Sequence, residues 1–171
     1  MAEYDAKPAL WFKEAIGLAL KADHAVTVPF GVFDLSGDNN VRCGRFQRPP
    51  SPGVPFVWYA GPSISSERGG PSMGRYRRRA SFDMVGYAPV ATDDVGVRVE
   101  QSIRLQHDCF YAIEESARGT IIVGTTINSI SAFHDLWIES IDLSGDENAL
   151  APGYAMFMAV IHVEYATKRG I

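Results

Sequence analysis

The stretch that most constrains this chain is residues 154–165, YAMFMAVIHVEY. In an extended backbone, Ala155, Phe157, Ala159, Ile161 and Val163 fall on one side, and Met156, Met158 and Val160 on the other. A strand apolar on both sides has to be covered on both. It predicts a central strand, with other strands beside it and a layer packed against it. The chain has 171 residues, and a domain of that size buries about 70% of its unfolded surface, so one domain spanning 1–171 suffices. Hydrophobic residues make up 46% and charged residues 21%, a globular composition that argues against a disordered chain.

The rest of the pattern supplies the partners. Residues 6–22 read as a surface helix, with Asp5 as N-cap, Pro8 in the first turn and Leu10, Ala15, Ile16, Ala19 and Leu20 near one face. Residues 25–33 are β-branched and aromatic, and 34–40 form a turn cluster before a possible hairpin partner at 41–46. The four prolines of 47–55 make that segment an extended connector. Residues 56–59 read as a short buried strand and 61–74 as a long polar loop. Residues 75–87 alternate as a strand, with Ala80, Phe82, Met84 and Gly86 opposite Arg77, Arg79, Ser81 and Asp83. From Asp94 to about Ala117 the helical period returns: Val95, Val99, Ser102, Ile103, Gln106, Phe110, Ile113 and Ala117 recur at threes and fours, and Gly119 stands where a C-cap belongs. A strand from 135 to 142 precedes the closing one. The fold class expected is mixed α/β (α+β): a mainly antiparallel sheet against two main helices, with extended loops or a hairpin arm.

Residues 34–40 and 142–148 are near-copies, DLSGDNN and DLSGDEN. An EF-hand loop carries its glycine at the sixth position, not the fourth, so both are read as turns.

Functional motifs are sparse. Neither phosphate-binding glycine pattern nor a G-x-S-x-G elbow occurs. Cys43 and Cys109 are too few for a disulfide framework and match no zinc spacing. His24, His107, His134 and His162 form no H-x-x-x-H pair. His107 and Cys109 diverge on a helix, which places Cys109 near the core boundary, while His162 is expected as a hydrogen-bonded histidine beside Met158 and Val160. Asp135 and Glu139 share a strand face and would permit a paired-carboxylate site, although a solvated face is the more common outcome. No catalytic residue, cofactor or metal is expected. The N-terminus is acidic, without an apolar core, and the longest apolar run, 154–161, is far too short for a membrane helix. Synthesis in the cytosol without a membrane partner is expected.

The net charge of −4 is unevenly laid out, with −3 in residues 1–40, +7 in 41–80 and −8 in 81–171. Its focus is Arg75, Arg77, Arg78 and Arg79, preceded by Arg68. Guanidiniums so dense cannot be buried unpaired, so they face solvent, a polyanion, or acids on a partner. At pI ≈ 5.5 the favoured partner is a neighbouring copy's acidic half, with Asp135 and Glu139 as its candidate carboxylates.

The order of elements, the phrase PFVWY at 55–59, the Arg-led strand into Gly86-Tyr87 and the closing strand ending Glu164-Tyr165 together resemble the tail terminator (tail completion, neck) proteins of tailed bacteriophages and related particles. The resemblance implies a structural virion protein located at the tail or neck and assembled in the host cytoplasm. It implies a ring of this chain, typically of six copies, that caps the tail tube, ends its polymerisation and joins it to the head connector or head-closure protein. DNA would pass through the lumen without specific binding, and no enzymatic activity is implied. The excess length at 34–55 and 61–74 would supply contact loops. Two other readings use the same residues: a head-closure or baseplate component, and a nucleic-acid-binding module built on the arginines of 75–79.

Overall fold

A computed structural model describes residues 2–22, 33–44, 49, 53–66, 75–92, 94–125, 130–141 and 153–168. The elements are α1 (Ala2–Lys21), β1 (Val41–Cys43), β2 (Phe56–Ser66), β3 (Arg75–Pro89) and α2 (Val95–Tyr111). A π-helical turn (Ala112–Ala117) leads into α3 (Arg118–Val123), then β4 (Ile130–Ile141) and β5 (Tyr154–Lys168). The five strands form one sheet in the order β1-β2-β3-β5-β4. Only β1 and β2 run parallel; the other pairs are antiparallel. The expected α+β class is the observed one.

Strand β5 is central, as its two apolar sides require, paired with β3 from Tyr154 to Lys168 and with β4 up to Met158. Its Ala155, Phe157, Ala159, Ile161 and Val163 face the helices, together with Ala80, Phe82, Met84 and Ala88 of β3. The helices answer with Phe12, Ala15, Ile16, Ala19 and Leu20 from α1, and Leu105, Cys109, Ile113, Ala117 and Ile121 from the long helix. Phe12 meets Tyr165 edge-on at 4.9 Å. Gly86 leaves the space that the Phe157 ring fills; a Cβ there would collide with the ring edge.

The spacing of the long helix explains its π turn. Leu105, Cys109, Ile113, Ala117 and Ile121 are all fully buried at a strict interval of four. An ordinary α-helix with 3.6 residues per turn would rotate such a series off the core by about 40° per step. The extra residue absorbed by the π turn restores the face. For the same reason the helix runs past Ala117 to Val123 and caps at Gly124, so Gly119 lies inside it rather than at its end. Asp94 is the N-cap, accepting the Val97 N–H at 3.1 Å.

Other expectations are corrected by the same packing. Val95, Val99 and Ile103 are 74%, 52% and 58% exposed, while Arg98, Leu105, Asp108 and Cys109 turn inward. The expected stripe holds at Ile113 and Ala117, both fully buried, and fails at Val95, Val99 and Ile103, where a polar series does the work on the inner side. Arg98 donates to the Tyr154 carbonyl and Ser102 Oγ to the Met156 carbonyl, at the stretch of β5 beyond the last β4 partner, Ile141. Gln106 reaches Ser140 Oγ. Leu10 is likewise exposed, with Ala9 and Phe12 on the buried side. Residues 61–66 continue β2 rather than opening a loop: the register shift between Ala60 and Ser63 takes up Gly61-Pro62, joined by a cis bond, and pairing with β3 resumes. Strand β4 begins at Ile130, earlier than expected. The 34–40 turn has Asp34 accepting from the Ser36 N–H and hydroxyl, which holds its carboxyl below the usual range. Residues 25–32, Arg68, most of the 47–55 connector and the second turn at 142–148 lie outside the described residues.

Candidate functional site

The sheet face turned away from the helices has two halves. Toward the β5 start it is aromatic: Phe56, Val85, Tyr87, Tyr154 and Met156 are buried, with Trp58 and Met158 against them. The Tyr87 ring lies 6.1 Å from Phe56 and 6.0 Å from Tyr154, and burial pushes its hydroxyl up to about 12. Toward the β5 end the face becomes polar, because the alternation that put Ala80 and Phe82 inward puts Arg77, Arg79 and Ser81 outward.

Strand order sets the charge layout there. Arg77 and Arg79 stand on β3, His162 and Glu164 on β5, and Asp135, Trp137 and Glu139 on the edge strand β4. The 77–79 end of β3 is therefore cationic and β4 anionic, while Asp83, exposed further along β3, lies outside that division. Register places Arg79 beside Glu164, which in turn faces Asp135. The Arg77 Nε donates to Glu164 at 2.7 Å, and the Arg79 guanidinium rests 4.9 Å from the Trp137 ring centre. Trp137 stacks on His162 at 5.0 Å. His162 bridges Ser81 Oγ at 2.9 Å and Glu139 at 3.2 Å with its two ring nitrogens. The result is a continuous polar and aromatic brace across β3, β5 and β4.

The sequence-predicted site residues distribute as follows. Arg77 and Arg79 meet groups of their own chain, a possibility created by β3–β5 pairing, which lays the basic block beside the acidic one. Arg78 lies on the strand's opposite parity, partly buried. Arg75 is paired in β3 opposite Lys168. Asp135 and Glu139 do not form a carboxylate pair: Asp135 bonds Arg118 at 3.3 Å from α3, and Glu139 takes His162. Cys109 is fully buried, and burial holds its thiol above the usual range; His107 is exposed, its ring 3.9 Å from the Asp108 carboxylate.

Sequence reasoning missed Ser81, Trp137 and His162 as a unit, since they lie on three strands and only register unites them. The Ser–His–Glu order invites comparison with acyl-transfer sites. An oxyanion would need donors aimed above Ser81, whereas the β3 N–H groups lie in the sheet plane between β2 and β5. Among the described residues the line is a cross-strand brace, and no group of three or more His, Cys, Asp or Glu side chains could hold a metal. Among the described residues, no helix is long and apolar enough to cross a membrane. Neither a family model nor a curated protein matches the sequence.

Proposed function

We infer that this chain is a structural self-assembling protein whose copies associate head to tail. The observation that carries this reading is the lateral polarity of the outer sheet face, with β3 arginines on one side and β4 carboxylates on the other. Two unlike surfaces on opposite sides of one domain favour heterologous contacts, which close into a ring when the rotation per subunit allows. The exposed aliphatic row Val95, Val99 and Ile103 adds a second surface that a lone domain gains nothing by leaving in water.

Within that class, the element order and the sequence phrases that resemble tail terminators favour a ring at the end of a phage tail tube. There it would end tube growth and dock the head connector, with DNA passing through the bore. Such a lumen has to let DNA slide, and each phosphate contact adds affinity. Arg77, Arg78 and Arg79 are therefore assigned to a subunit or tube contact, not to the channel wall.

The test is mass in solution and binding to purified tail tubes, with and without Arg77→Ala on the outer face. The reading expects the wild type to cap tubes as a ring, and the variant to fold yet assemble poorly. Unimpaired particle yield from the variant would remove the interface assignment. A steep salt-dependent affinity of the wild type for DNA, without tube binding, would instead favour the nucleic-acid reading.

A further inference from the structure

We propose that the outer edge of β4 is a pairing surface for the β4 strand of a second copy, closed at one end by Arg118. In an antiparallel strand, residues of one parity direct both backbone groups to the same side. Trp137 faces His162 on β5, and β5 residues of that parity also offer the Tyr154 and Met156 carbonyls toward the β4 side. Leu136, Ile138 and Ser140 consequently direct their N–H and C=O groups outward.

At Leu136 both groups are already satisfied within the chain. Its N–H donates to Asp135 at 2.8 Å and its carbonyl accepts from Arg118. The same Arg118 holds the Asp135 carboxylate, and the register shift between Phe133 and Asp135 disturbs the strand just before this point. A charge and a bulge are how native edge strands are kept from pairing. The π turn immediately precedes Arg118 and sets its rotation about the helix, so the clasp is built into the helix geometry. Beyond Leu136, no strand pairs with the outward groups of Ile138 and Ser140 among the described residues.

The occupant that fits is another β4. An antiparallel pair centred on Ile138 puts Leu136 opposite Ser140, Glu139 opposite Trp137 and Asp135 opposite Ile141. No two carboxylates face each other, and the half-exposed Ile141 gains a neighbour. This two-fold contact uses the backbone edge of β4, whereas the head-to-tail contact proposed above uses carboxylates on the outer face of the same strand, and the one is inferred independently of the other.

Sedimentation velocity of the full chain without tail tubes tests the proposal. Arg118→Ala should double the mass of whatever species the wild type forms, with affinity raised roughly tenfold for the freed Leu136 carbonyl. Adding Ile138→Pro should abolish the doubling; proline is tolerated where the strand N–H faces outward, and circular dichroism should keep its native shape with a lowered urea midpoint, since Ile138 packs against the core. Should Arg118→Ala fail to fold, Arg118→Lys carries the test, because the ammonium lacks the fork whose two nitrogens reach Asp135 and the Leu136 carbonyl, and a smaller increase in doubling is expected. Unchanged mass for the folded Arg118 variant, or doubling that survives Ile138→Pro, overturns the proposal.

Discussion

The two faces of the sheet are built from the same strands and follow different rules. On the helix side, β3 and β5 present Ala80, Phe82, Met84, Ile161 and Val163, all sealed under α1 and the long helix. On the outer side the same strands turn from buried aromatics near Tyr87 to a hydrogen-bonded charged surface near Arg77 within about ten residues. The first face holds the fold. The second is held by a smaller aromatic cluster at one end and by cross-strand polar and aromatic contacts at the other, and its charged end is the part proposed for association. On the assembly proposed above, stability and association should respond to different substitutions.

Substitutions should divide along that line. Phe82→Ala on the helix side removes a fully buried ring and should cost about 3–5 kcal/mol; urea unfolding would show the midpoint fall. Gly86→Ala sets a methyl against Phe157, and an overpacked core of this kind loses about 1–3 kcal/mol, readable in the same titration. A loss below that for both would mean the two faces differ less than their packing implies.

Tyr87 sharpens the comparison on the outer side. Its folded pKa is raised from 10.0 to about 12 by burial. A raised acid group adds stability that is complete below pH 10 and disappears as pH climbs through 12. Tyrosinate absorbance should therefore appear late in the native protein, and Tyr87→Phe should flatten the alkaline loss of stability. The smallest effect is expected from Arg77→Ala, whose half-exposed guanidinium pairs with the buried Glu164 and whose loss should cost about 1 kcal/mol. Thermal melting should barely move, whereas tube binding should weaken. A large melting shift would make Arg77 a pillar of the fold and blur the division.

Much of the helix-side architecture was legible in the sequence. The two-sided apolar run of β5, the alternation of β3 and the Asp94 cap each express a local rule that packing did not override. Other features depend on contacts no period reveals. The inward stripe of α2 contains Arg98 and Ser102 because the open end of β5 needs donors. Strand β2 continues to Ser66 because a register shift absorbs Pro62. The brace of Ser81, His162, Trp137 and Glu139 exists only once β3, β5 and β4 are in register, and block-by-block charge counting pointed Arg77 toward a neighbour before Glu164 of its own chain was in view.

The most direct measurement of the central claim is electron microscopy of tail tubes incubated with the purified chain, paired with native mass spectrometry. The account predicts a closed ring of fixed copy number seated on the tube end, with tube growth halted. Tubes that elongate unhindered beside a chain that stays monomeric at every concentration would contradict it.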